Sequence, residues 1–149
     1  MYLLDTNLVS ELRKVKAGKA DPGVAAWAEA VDAGQLFLSA VTLHELELGV
    51  PLIEGRDLSQ GRLLRQWLDQ AVLPAFAGRI LAVDAEVARR SAALHVPDPQ
   101  PFRDGLIAAT ALVHNLVVVT RNLADRGRPC ASASRRLFAS SRFTGAPLG

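Results

Sequence analysis

The chain has 149 residues, half of them hydrophobic, which is enough for one domain with a sizeable core and too few for two. A single cysteine, Cys130, excludes an internal disulfide framework, no secretory leader pattern opens the chain, and no stretch approaches the roughly 20 uninterrupted apolar residues of a membrane helix; we therefore expect a cytoplasmic protein that does not enter the membrane. The formal charge of +2 is unevenly spread: residues 1–120 carry 11 Lys and Arg against 14 Asp and Glu, whereas residues 121–149 carry six Arg against Asp125 alone, so a basic tail follows an acidic body.

Tyr2-Leu3-Leu4 has the length and apolarity of a short buried strand, and it runs directly into Asp5-Thr6-Asn7. Asn7 to Lys14 then reads as a helix with Leu8, Leu12 and Val9 on one face, followed by a loop over Val15 to Gly23. Helical character resumes from Val24 to Ala33, with Trp27 and Val31 as inward anchors. Leu36 to Ala40 is the second strand candidate. Thr42 is then expected to cap a helix through LHELELGV, which places Glu45 in its first turn. After a Gly, Asp and Ser break near residues 55–61, Arg62 to Val72 shows helical spacing up to Pro74. Ile80 to Val83 is a third strand, Asp84 an N-cap, and Val87 to Leu94 a helix. The proline-rich VPDPQPF leads to Asp104 and the apolar helix GLIAATALVH. Leu116 to Thr120 is the last strong strand, its β-branched run typical of a strand covered on both faces. Strands alternating with helices predict a parallel α/β sheet with helices on both sides.

In such a sheet the carboxyl ends of the strands share one rim, and ligands bind there. Asp5 follows the first strand, Glu45 the second, Asp104 opens the helix before the last strand, and Asp125 lies beyond it. Any one of these acids would be explained as a helix cap or dipole partner. Four converging on one rim would repel one another unless a cation neutralised them. Hard oxygen ligands without clustered His or Cys suit magnesium or manganese, and His44, His95 and His114 lack metal-ligand spacing. A carboxylate-held magnesium acts on phosphodiesters, so a nucleic-acid backbone is the natural substrate. Glu47 competes with Glu45, and because two positions round a helix is about 200°, only one of them can face the site.

The stretches LLDTNLVSELRK (3–14), LFLSAVTLHELELGV (36–50) and RDGLIAATALVHNLVVVTRN (103–122), in this order and spacing, resemble the PIN-domain family, and within it the VapC-type, FitB-like ribonuclease toxins of toxin–antitoxin pairs. The resemblance implies a three-layer α/β/α fold with a central, mostly parallel sheet and a magnesium- or manganese-dependent endoribonuclease that cleaves RNA by metal-activated water. It implies Asp5, Glu45, Asp104 and Asp125 as catalytic acids, with Asp5 and Asp104 as metal ligands. Thr6, Asn7, Thr120 and Asn122 become supporting polar residues. A homodimer and a VapB-type antitoxin lying across the site are the implied partners.

Residues 1–125 are expected to form the nuclease domain. After Asp125 the match breaks, because Arg126 stands where the family has an aromatic residue and the Arg, Ser, Ala, Gly and Pro mixture that follows has no strand pattern. We expect 126–149 to be a divergent, irregular basic tail of the composition an out-of-frame reading produces, with the C-terminal edge strand missing or altered. The alternative function is then a weakened or inactive interaction module.

Overall fold

The computed structural model describes residues 1–121. Tyr2–Leu4 forms β1, Leu36–Ser39 β2, Ile80–Leu81 β3 and Val117–Val119 β4, and they make one parallel sheet in the order β3-β2-β1-β4. Leu3 lies level with Phe37 in β2 and with Val118 in β4, while Leu38 pairs with Ile80. The helices are α1 (Thr6–Leu12), α2 (Pro22–Ala30), α3 (Ala40–Glu54), α4 (Leu58–Trp67), the short α5 (Leu73–Ala75), α6 (Ala85–Leu94) and α7 (Phe102–Val113).

Strand alternation separates two cores. Leu4, Leu36, Leu38 and Val119 point to one face, where they meet Leu8 and Val9 of α1, Val24 of α2, Leu46 and Val50 of α3, and Leu64 of α4. Leu3 and Val118 point to the other and meet Ile107 and Ala111 of α7. Helices on both faces make this the three-layer α/β/α arrangement that the motif order implies. Leu3, Leu4, Leu8 and Leu38 are fully buried, each contributing about 1.5–3 kcal/mol relative to exposure. Trp27 is half-buried and meets the Tyr2 ring edge-on at 6.0 Å.

Two local expectations are corrected. The cap of α3 is Ser39, the last residue of β2, whose Oγ accepts from Thr42 N–H at 3.0 Å. Thr42 is instead fully buried inside the helix, and its hydroxyl donates to Leu4 O at 3.3 Å, tying α3 to β1. Both residues have cap-forming side chains, and the helix starts three residues, nearly one turn, earlier than expected. Glu45 therefore falls in the second turn of α3, not the first. Likewise α4 begins at Leu58, capped by Asp57, and continues through a π-helical turn at Leu68–Val72 past Pro74, which occupies a first-turn position where no amide donor is needed. Ser39→Ala is expected to cost about 1 kcal/mol, read as a lower urea midpoint with unchanged slope; an unchanged midpoint would remove Ser39 from the capping role.

None of the described helices is long and apolar enough to cross a membrane.

Candidate functional site

The chain crosses from β1 to β2 and on to β3 on one side, then returns to place β4 on the other side of β1. The strand order reverses at β1, the position where open α/β sheets leave a crevice beyond their carboxyl ends. A cleft of about 760 Å³ opens there, lined among others by Asp5, Asn7, Glu11, Asp104, Thr120 and Arg121.

Asp5 lines it just beyond the end of β1. Its backbone N–H donates to Val119 O at 3.2 Å, which continues the sheet one residue past β1, and its carboxylate caps α1 by accepting from Leu8 N–H at 2.8 Å. Capping and site formation thus use the same side chain. Burial holds the Asp5 carboxyl above the usual carboxylate range, and the charges of Glu45 and Asp104 push it the same way, against the lowering effect of the Leu8 bond.

The three acids reach that electrostatic contact from different elements. Asp104 is the third residue of α7, exposed at the helix start on the cleft wall. Its neighbour Gly105 is pressed against His95, whose Nε2 lies 2.8 Å from where a Cβ would stand, so the end of α6 sets the height of the Asp104 turn. Glu45 follows β2, on the far side of Asp5 from β4, and is absent from the cleft lining although its charge is felt at Asp5. Arg103 Nη1 approaches its Oε2 at 3.8 Å. Glu47 turns away, as helix geometry requires, and pairs with Arg65 of α4 at 2.8 Å.

Of the polar residues beside the acids, Asn7 and Thr120 line the cleft. Thr6 does not, and its buried hydroxyl has no hydrogen-bond partner among the described residues. Asn122, Asp125 and the tail lie outside the described residues. Among those described, no three Asp, Glu, His or Cys side chains gather closely enough to cage an ion by themselves. Of the acids that the motifs single out, Asp5 and Asp104 share the cleft. That set fits a cation that keeps most of its water and takes one or two carboxylates, as magnesium does.

Sequence inspection passed over Glu11. It is only 4% exposed, yet it lines the cleft. Its Oε2 lies 2.9 Å from Lys14 Nζ and 4.0 Å from Arg121 Nη1, while its Oε1 accepts from Asp21 N–H at 3.0 Å. The Lys14 hydrogen bond, followed by that from Asp21, holds its carboxyl below the usual range. The signal was present: Asn7, Ser10, Glu11 and Lys14 have i, i+3, i+4, i+7 spacing, and all four line the cleft.

The PIN domain family model matches residues 2–124. The chain belongs to the PIN-domain family. This PIN domain is 40% identical over 128 residues to Toxin FitB of Neisseria gonorrhoeae, covering 82% of this chain and 88% of that protein. It is 38% identical over 130 residues to VapC ribonuclease Y4jK of Sinorhizobium fredii, covering 82% and 87% respectively. Among solved structures, FitAcB from Neisseria gonorrhoeae superposes with a TM-score of 0.71 at 37% identity, covering 85% of this PIN domain and 92% of the matched chain. The VapC-type resemblance read from the three motifs is thereby established.

Proposed function

We propose that this PIN domain is a magnesium-dependent endoribonuclease toxin of the cytoplasm that hydrolyses RNA phosphodiesters and is kept silent by a cognate VapB-type antitoxin. The observation that carries the reading is the partly buried Asp5 carboxylate, which lines the cleft and whose charge is disfavoured by burial and by the nearby Glu45 and Asp104. A site that crowds negative charge in this way favours a divalent cation. Similarity to a named ribonuclease and a named toxin supports RNA as substrate. A toxin also requires an inhibitor in the cell that makes it. The homodimer is part of the same proposal and rests on the family resemblance.

Asp5 and Asp104 would hold magnesium, or manganese in its place, with Asp125 as the fourth acid of the motif. When bound, the metal supplies a water of lowered pKa and charge neutralisation at the phosphate. The protein's own part is positional. Asp5 is fixed by the Leu8 amide and by its link to β4, so its carboxylate is oriented before substrate arrives. Glu45 adds negative charge close to Asp5 and is itself approached by Arg103, which limits how far it can swing. Asn7 and Thr120 present hydrogen-bonding groups along the cleft walls.

The test is cleavage of a labelled single-stranded RNA in magnesium, with and without a chelator. Glu45→Gln is expected to lower the rate about 100-fold or more, whereas Glu47→Gln, which breaks only the Arg65 pair, leaves it within about twofold. RNA that is bound but never cut would favour the weakened interaction module. Equal losses from the two glutamates would remove Glu45 from the site.

A further inference from the structure

The cleft also holds a cluster of charges that metal chemistry does not need. We propose that Lys14 and Arg121, held by the buried Glu11, grip a phosphate of the RNA backbone next to the one that is cut. The inference rests on the ribonuclease reading above and names how that site takes hold of its substrate.

Lys14 follows the end of α1 and Arg121 follows β4, so two distant parts of the chain bring cations to one carboxylate. Both basic side chains remain about half exposed, at 46% and 54%, whereas the Glu11 side chain is 5% exposed. The acid is therefore inside and the cations face the cleft, which both line. One carboxylate against two cations leaves one positive charge in excess. A cluster serving only to staple α1 to β4 would gain little from side chains this exposed.

The cleft thus carries both signs of charge, since Asp5 and Asp104 line it together with Lys14 and Arg121. A phosphodiester chain carries negative charge at every repeat, so it can place one phosphate where Asp5 and Asp104 would hold a cation and a neighbouring one at Lys14 and Arg121. Arginine offers a planar fork to phosphate oxygens and lysine a compact charge. Glu11 acts through these two residues. It is a positioning residue, because its remaining oxygen is taken by the Asp21 amide.

The experiment measures binding of a fluorescent single-stranded RNA to the uncleaving Asp5→Asn protein across a salt series. Lys14→Ala and Arg121→Ala, each in that background, are expected to weaken binding about tenfold, irrespective of RNA sequence, and to lower the slope of log K against log salt by about one. Lys14→Arg keeps the charge and restores the slope. Glu11→Gln keeps the acceptor for Asp21 but releases the cations: affinity falls while the slope stays near that of the parent, and in the cleaving enzyme KM rises with kcat little changed. Unchanged affinity and slope in both alanine variants, or no RNA binding by the parent, would overturn the proposal. Glu11→Gln lowering kcat alone would overturn the positioning role. Should the alanine variants behave as stated while wild-type protein cuts no RNA in magnesium, the phosphate grip stands and the nuclease reading falls.

Discussion

Asp5→Asn is expected to remove RNA cleavage and to make the protein more stable. The loss of activity follows from exchanging a charged oxygen ligand for a neutral amide, and several kcal/mol of transition-state stabilisation correspond to about a thousandfold or more in rate. The gain in stability follows from the direction of the Asp5 pKa. Burial raises it in the fold, with Glu45 and Asp104 adding to the effect, so between the unfolded and folded values the native state binds more proton than the unfolded one. Stability contributed at this residue therefore falls as pH rises through that window and is lowest above the folded value. Asparagine carries no charge at any pH and still caps α1 as well as aspartate does, so the variant should melt higher than wild type at neutral pH and no higher at low pH. Asp5→Ala also loses the cap to Leu8 and should forfeit about 1 kcal/mol of that gain. Magnesium at ten times its dissociation constant should stabilise wild type by about 1.4 kcal/mol and Asp5→Asn far less. Melting curves at two pH values, with and without magnesium, check all four statements; a variant that melts lower at neutral pH, or responds equally to magnesium, would contradict the account of the site.

Gly61→Ala is expected to have the largest effect on stability, without touching the cleft. Gly61 is buried in α4, and a Cβ there would stand 2.1 Å from Glu54 Cγ, 2.8 Å from Glu54 Cα and 2.9 Å from its amide nitrogen. The Glu54 side chain can move aside, but its backbone belongs to the end of α3 and cannot do so without parting the two helices. Overpacking of this kind costs about 1–3 kcal/mol and at times more, well beyond the gain of up to about 1 kcal/mol that alanine brings to an ordinary helix position. Urea unfolding should show the loss. Gly49→Ala, where the nearest atom is a Leu64 methyl at 4.0 Å, serves as the control and should be neutral or stabilising. If the two behaved alike, close approach of α3 and α4 at Gly61 would be refuted.

These residues mark what sequence alone determined. Each of the four strands was legible because a short apolar or β-branched run ends at a polar break, and Leu3 and Leu4 pointing to opposite cores is a direct result of strand alternation. That Asp5 and Asp104 would meet at one rim was legible because the chain order places both at the carboxyl ends of the strands, and both line the cleft there; the helix angle said only that Glu45 and Glu47 could not share a face, and the motif resemblance chose Glu45. Three further features depended on distances between segments far apart in the chain. Ser39 and Thr42 are equally good caps by composition, and only the end of β2 against β1 assigned one to the helix start and the other to Leu4. Gly61 resembled one more residue of a polar break until α3 lay against it. Glu11 and Lys14 stand three apart near the end of one helix, and nothing local tells that Arg121 arrives from β4 to share the same carboxylate. Local pattern is set by neighbours within a turn or a strand, so the sequence determined the elements and the rim; which side chains meet across that rim is a property of packing, and only the tertiary structure decided it.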